Sequence, residues 1–85
     1  MKIMMNGNFL YTVNVYYGDR TISVCTNEVN IVCEELLSRA EERAEFDLID
    51  NSTGEVLVNY SGGENYMTPE WSLIVVGYLA LRTWG

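Results

Sequence analysis

The chain contains no histidine, a single proline and only five basic residues among 85. Without an imidazole, histidine-based catalysis and histidine metal sites are excluded. Twelve acidic residues give a net charge of -7, so the chain lacks the basic surface with which proteins bind nucleic acid directly. Because no Pro-rich or low-complexity linker divides the chain, we expect one domain spanning residues 1–85.

Cysteine is also scarce. Cys25 and Cys33 are too few for the disulfide framework of a small secreted domain, and we expect both to be reduced, small apolar fillers. The most apolar stretch, 71–81, is about half as long as the ~20 residues that span a bilayer. The first fifteen residues make a poor secretory signal because asparagine and glycine interrupt them. The sequence therefore favours a cytoplasmic protein with no membrane partner.

The hydrophobic residues that are present, 48% of the chain, recur with the periods of strands and helices. Asn6-Gly7 is typical of a hairpin turn between a short strand at 2–5 and a longer one at 8–17. In the longer strand the odd positions are apolar and the even positions mostly polar, the pattern of a half-buried strand. Gly18-Asp19 predicts another tight turn, and a third strand follows it.

Two helices are predicted. Asn27 is a favourable cap for the first, in which apolar residues from Val29 to Ala40 follow helical spacing and the helix runs to about Arg43. For the second, Thr68-Pro69-Glu70 supplies a cap, a first-turn proline and a first-turn acid, and the helix should end near Thr83.

Two further strands are predicted between the helices, at 46–50 and 55–60. Residues 51–54 between them are of the types that favour turns, and a loop is expected at 61–65. The expected order is β-β-β-α-β-β-α. This is an α+β fold with an antiparallel sheet of four to five strands and two helices.

The acidic residues are concentrated in the middle of the chain. From Glu28 to Glu64 there are ten acids and two bases. On the first helix they form two ridges with a step of ~10.5 Å, and Ile31 points between the ridges. The face is either solvated and solubilising, supported by pairs with Arg39, or it meets a basic patch on a partner protein. Ile31 is either an apolar anchor or an ordinary exposed side chain.

For the partner-binding alternative, the candidate residues lie on the first helix and the hairpin after it. They are Glu28, Ile31, Glu34, Glu35, Glu41, Glu42, Asp47 and Tyr60.

The second helix is apolar on every side, and such a helix is expected to be buried on every side. Three coverings are possible: the core of the monomer, a homodimer interface or a membrane surface. The membrane is disfavoured because anionic lipid repels a chain of charge -7. For a homodimer, the candidate interface residues are Trp71, Ile74, Tyr78 and Leu81.

No residue pattern predicts catalysis. The cysteines have no histidine or nearby lysine to activate them, and the carboxylate pairs fall on faces expected to be exposed, where burial does not tune a pKa. Asp47, Asp50, Asn51 and Glu55 offer oxygen ligands for Ca²⁺, but their spacing matches no calcium-binding loop. We expect no enzyme activity, no cofactor and no metal.

In size, acidity and α+β pattern, and in its acidic run from Glu28 to Glu64, the chain resembles the small proteins of phages and mobile elements, such as the anti-CRISPR inhibitors. The resemblance rests on the profile of the whole chain, and no motif aligns, so no residue role is carried over. It implies a non-catalytic inhibitor that occupies a basic nucleic-acid-binding surface of a host defence protein. The alternative is a small homodimeric structural or regulatory subunit.

Overall fold

Two helices cover one face of a five-stranded antiparallel sheet, the α+β architecture expected from the sequence. The computed structural model describes residues 9–61 and 64–84. In chain order the elements are β1 (Tyr11–Tyr17), β2 (Arg20–Thr26), α1 (Val29–Glu41), β3 (Glu45–Asp50), β4 (Glu55–Ser61), β5 (Glu64–Met67) and α2 (Pro69–Trp84).

The strands lie in the order β2-β1-β3-β4-β5. The hairpins β1–β2, β3–β4 and β4–β5 are each formed by consecutive strands. β1 also pairs with β3, which follows it in the chain only after β2 and α1. Gly18 and Gly54 adopt positive φ angles of 65° and 79° in the first two hairpin turns, a conformation that glycine adopts without steric cost. Both turns were expected from the sequence.

The expected element order is wrong at one strand. Residues 61–65 were predicted as a loop, but Glu64 and Asn65 begin β5 and pair with Ser61 and Tyr60 of β4. The observed order over the described residues is β-β-α-β-β-β-α. The strand predicted at 2–5 and its Asn6-Gly7 turn lie outside the described residues.

Alternation along β1 determines the two faces of the sheet. Val13 and Val15 are fully buried under the helices and pair with Leu48 and Phe46 of β3, which are also buried. We call this the covered face. The even positions of β1 lie on the opposite, open face, together with their register partners. From α1, Val32, Cys33 and Leu36 complete the core.

The N-terminus of α1 differs from the prediction at Asn27. The N-cap is Glu28, and its side chain makes no capping hydrogen bond. Asn27 instead accepts a hydrogen bond at Oδ1 from the backbone N–H of Leu10, at 2.7 Å. Its side chain therefore holds the segment that enters β1, and the Thr26 hydroxyl accepts the N–H of Glu28 at 3.0 Å.

The start of α2 confirms the prediction, since the Thr68 hydroxyl accepts the backbone N–H of Trp71 at 3.2 Å. Of the three coverings considered for α2, the core of the monomer covers only one side of the helix. Trp71 is 2% exposed and packs edge-on against Tyr11, with ring centroids 5.4 Å apart, but Leu73 and Leu81 are each 75% exposed. The fold has two layers, so nothing in the described chain covers the outer side of α2.

The two cysteines have different surroundings. Cys33 is a fully buried filler, as expected, and burial raises the pKa of its thiol. Cys25 lies on the open face of β2, with its sulfur 3.5 Å from the hydroxyl oxygen of Thr12. It is therefore not a member of the apolar core.

Candidate protein-binding surface

The outer side of α1 carries most of the predicted partner-binding residues. Its inner side is fixed by Val32, Cys33 and Leu36, so helical spacing directs the acids away from the sheet. Ile31 is 41% exposed, between the two acidic ridges, as the sequence predicts. We call this surface the acidic face; it comprises Glu28, Ile31, Glu34, Glu35, Glu41 and Glu42.

The acidic face keeps most of its charge. It holds five carboxylates, and Arg39 is the one basic residue between 28 and 42, so the segment carries a net charge of -4. Glu28, Glu34, Glu41 and Glu42 are all exposed, whereas Glu35 is half-buried. Like charges on adjacent turns repel one another and do not stabilise the helix.

Arg39 divides the acidic face into two unlike ridges. Its guanidinium contacts Glu35 Oε1 at 3.1 Å and Glu42 Oε1 at 3.4 Å. The same group donates a 3.0 Å hydrogen bond to the hydroxyl of Tyr17, which in turn donates to Glu42 Oε1 at 3.0 Å. This network links α1 to β1 and partly neutralises the ridge that contains Glu35 and Glu42.

The ridge formed by Glu34 and Glu41 is different. Both ion pairs among the described residues belong to Arg39, so neither of these carboxylates has an ion-pair partner there. Glu34 lies beside Tyr78 of α2. Burial, and after it the hydrogen bond to the Glu34 carboxylate, raise the pKa of the Tyr78 hydroxyl. This ridge is therefore the less neutralised of the two and borders α2.

The structure does not bring Asp47 and Tyr60 onto the acidic face. Asp47 pairs in register with Asn14 on the open face, so the sheet separates it from α1. Tyr60 is half-buried on the covered face and stacks on Phe46, with ring centroids 5.1 Å apart and an angle of 8° between the planes. Six of the eight predicted partner-binding residues thus share one surface, and these two do not.

A polar network on the open face was not predicted. Asp47 accepts hydrogen bonds from the amide of Asn14 at 3.1 Å and from the hydroxyl of Tyr16 at 2.7 Å. Ser23 donates to the Asn14 Oδ1 at 2.6 Å. The alternation of polar residues on β1 was visible in the sequence, but their partners depend on the pairing of β1 with β3, which no local pattern encodes.

The predicted dimer-interface residues lie mostly on the inner side of α2. Trp71 is in the core, and Ile74 and Tyr78 are partly buried against it. Only Leu81 is on the outer side. The exposed residues that the prediction missed are Leu73, Val76 and Leu79; a helical wheel oriented with Trp71 toward the core would have identified them.

An apolar cavity of about 190 Å³ opens between the two helices and the β4–β5 hairpin. Its lining includes Leu36 and Ala40 from α1, Val58 and Tyr60 from β4, and Val75 from α2. The inner side of α2 is therefore incompletely packed against the sheet near this hairpin.

Two other features are absent within residues 9–61 and 64–84. No group of three or more Cys, Asp or Glu residues is placed to hold a metal ion, and the oxygens of Asp50 serve the adjacent turn, where they accept hydrogen bonds from Ser52. Over the same residues, neither helix combines the length and hydropathy that a membrane crossing requires.

Comparisons with protein-family models, with curated proteins and with solved structures give no match for this chain.

Proposed function

We propose that the protein is a non-catalytic binding module whose acidic face engages a basic surface of a larger cytoplasmic protein. The partner class that fits this charge is a nucleic-acid-binding protein, because the surface that binds phosphates is basic. By occupying that surface, the module inhibits its partner, as a phage or mobile-element inhibitor of a host defence nuclease does. The module itself needs no nucleic acid and no cofactor.

One observation carries the proposal: five carboxylates and one exposed isoleucine share the outer side of a single helix, with one arginine among them. Such a field speeds encounter with a basic partner and orients it. Ile31, ringed by these charges, supplies an apolar contact at the centre, the arrangement of a desolvated anchor inside a polar rim.

The two ridges should contribute unequally to this contact. Glu35 and Glu42 already share Arg39, so a partner arginine has to compete with an internal one. Glu34 and Glu41 have no ion pair among the described residues, so they offer their charge at lower cost. We therefore assign the main electrostatic contribution to Glu34 and Glu41.

The first experiment reverses charge on this ridge. Glu34→Lys with Glu41→Lys changes the net charge from -7 to -3. Glu45→Lys with Glu55→Lys makes the same change away from α1, at exposed positions of β3 and β4. The tagged wild type and both variants are used to capture proteins from a nuclease-treated lysate of the source cells. The captured proteins are then assayed for binding to a labelled oligonucleotide.

We expect the wild type to capture a protein that binds the oligonucleotide, and to compete with that binding at equimolar ratio. The ridge variant should lose roughly tenfold or more in affinity, and the matched control should change far less, because only the former removes contact charges. Affinity should also fall steeply from about 50 to about 300 mM salt. Equal loss in both variants, or a captured protein that keeps its oligonucleotide, would contradict the proposal.

A second candidate function is a homodimeric structural or regulatory subunit, and the specific observation that favours it is the outer side of α2. Four large aliphatic side chains of this helix are between 41% and 75% exposed. Isolated exposed aliphatics are common, but a contiguous group on one helix marks an interaction surface. The two functions use different surfaces and are compatible.

A further inference from the structure

The outer face of α2 has the extent and composition of a protein interface. It comprises Leu73, Val76, Leu79 and Leu81, which are 75%, 63%, 41% and 75% exposed. Together they present on the order of 400 Å² of apolar surface, the size at which exposed patches are often functional. A stable dimer buries about 800 Å² per partner, so these four supply about half of that, and Ser72, Gly77, Ala80 and Thr83 lie beside them to supply more.

The charge pattern indicates which partner this face accepts. From Trp71 to Leu81 no residue is charged, although the whole chain carries -7. Two copies of so acidic a chain repel each other where their acidic residues face one another. The outer face of α2 has no charged residue from 71 to 81, so two copies can approach there without that repulsion. The ends of the helix carry opposite charges, Glu70 in the first turn and Arg82 in the last turn.

We propose that the outer face of α2 binds the same face of a second copy, with the two α2 helices antiparallel about a two-fold axis at Val76. Val76 is the midpoint of the uncharged stretch from Trp71 to Leu81, so a pair centred on it buries the greatest uncharged length of both helices. The contact is isologous, as in most homodimers. Antiparallel pairing also aligns the helix dipoles favourably.

Gly77 is suited to a position near this axis. A Cβ atom built on Gly77 would meet nothing within 4 Å, so no contact within its own chain requires a glycine there. A glycine next to Val76 lets a second helix approach closely. This inference rests on the second candidate function and specifies its surface: of the four residues predicted from the sequence, only Leu81 belongs to it.

The mass in solution tests the proposal first. By light scattering at about 10–100 μM the wild type should have twice the monomer mass. Val76→Glu should weaken association roughly 100-fold, because it places two carboxylates face to face at the axis. Val56→Glu is the matched control, since Val56 is 39% exposed and pairs with Ile49 on the open face, on the opposite side of the sheet from α2, and it should leave the dimer intact.

Salt separates this inference from the acidic-face proposal. Dimerisation should strengthen between about 50 and about 500 mM NaCl, because screening reduces the repulsion between two chains of charge -7. Capture of a basic partner should weaken over the same range. A dimer without partner capture leaves this inference standing, and partner capture by a strict monomer overturns it alone.

Cross-linking tests the orientation, and it also decides the matter should Val76→Glu fail to fold. In a Cys25→Ser background, Val76→Cys should form an intermolecular disulfide readily, because the two copies of residue 76 meet at the axis. Leu81→Cys should not, because in an antiparallel pair the two copies are about 15 Å apart along the axis at 1.5 Å per residue. Efficient cross-linking at both positions would indicate a parallel pair and would overturn the proposed geometry.

Two outcomes would overturn the proposal entirely. One is a monomer at about 100 μM in both salts with native circular dichroism. The other is a monomer that co-sediments with phosphatidylcholine vesicles through the same residues, which would assign this face to a lipid surface.

Discussion

Asp47 shows how one carboxylate changes the chemistry of its neighbours on the open face. The hydroxyl of Tyr16 donates to it at 2.7 Å, and that hydrogen bond, followed by burial and the carboxylate charge, raises the pKa of Tyr16 from 10.0 to about 12. The bond requires the protonated phenol. Its contribution to stability is therefore fully present below pH 10 and is lost as the pH rises through about 12.

Asp47→Asn should lower the pKa of Tyr16 toward 10, because it weakens the hydrogen bond that holds the phenol protonated and removes the charge that opposes ionisation. The absorbance of tyrosinate across an alkaline titration measures the shift, and subtraction of the Tyr16→Phe titration isolates the contribution of Tyr16. Asp50→Asn is the control, since Asp50 bonds Ser52 and not Tyr16. An unchanged Tyr16 titration in Asp47→Asn would show that the carboxylate is not the cause.

The exposure or role of a residue was predictable where the geometry of its own helix or strand is enough to determine it. The exposure of Ile31 follows from the inner side of α1 alone, and the cap at Thr68 follows from local sequence. Asn27 was assigned the wrong role because its partner, the N–H of Leu10, is 17 residues away in the chain. Side chains that bond across the fold cannot be assigned from local chemistry.

At the scale of elements, the end of α1 stores a small strain. Arg43 has a φ of 61°, the left-handed conformation in which glycine is usual. The N–H groups of Arg43 and Ala44 bond to the carbonyls of Ala40 and Arg39, the pattern of a Schellman motif. The motif satisfies the helix carbonyls, and a residue with a Cβ pays about 1 kcal/mol or more for that conformation.

Arg43→Gly should therefore stabilise the fold by roughly 1 kcal/mol, which raises the melting temperature by about 4–8 °C in a domain of this size. Arg43→Ala is the matched control: it removes the same charge, keeps the Cβ and should leave the melting temperature nearly unchanged. If alanine and glycine stabilise equally, the gain comes from the loss of charge and the strain argument is wrong.

Periodicity predicted α1 to within about two residues, and the Thr68 cap predicted the start of α2, because both are local signals. β5 was missed because Glu64 and Asn65 follow a Gly-Gly pair and are polar, and β5 is only four residues long. How much of α2 the monomer core covers was not predictable, because composition shows that a helix is apolar all round but not how many layers the fold has. The acidic face of α1 and its pairs with Arg39 were predictable from helical spacing, whereas the hydrogen bonds of Tyr17 to Arg39 and Glu42 depend on the packing of α1 against β1.

For the whole molecule, repulsion between acids exceeds attraction. Asp50 and Glu55 are direct register partners on β3 and β4, so two like charges face each other there. Acids also occupy α1 and the open face, and the ion pairs among the described residues involve Arg39 alone. The negative groups are therefore spread over several surfaces, and α1 holds the densest set.

Added salt should consequently stabilise the folded chain. Between about 20 and about 500 mM NaCl the melting temperature should rise by several degrees, roughly 1 kcal/mol, because screening removes more repulsion than attraction. The Glu45→Lys, Glu55→Lys variant, with a net charge of -3, should gain less. Both proteins are to be melted at a protein concentration where light scattering gives the same mass at each salt concentration, so that the oligomeric state does not change. A fall in melting temperature with salt would mean that ion pairing dominates.

The pairing of β1 with β3 has a consequence for synthesis on the ribosome. The first half of the chain emerges with β1 bonded to β2 on one side and with nothing on the other, because its second neighbour begins only at Glu45. Until that strand has left the exit tunnel, the nascent β-ribbon exposes an open edge. During that interval the unfinished polypeptide is open to wrong pairing with other chains.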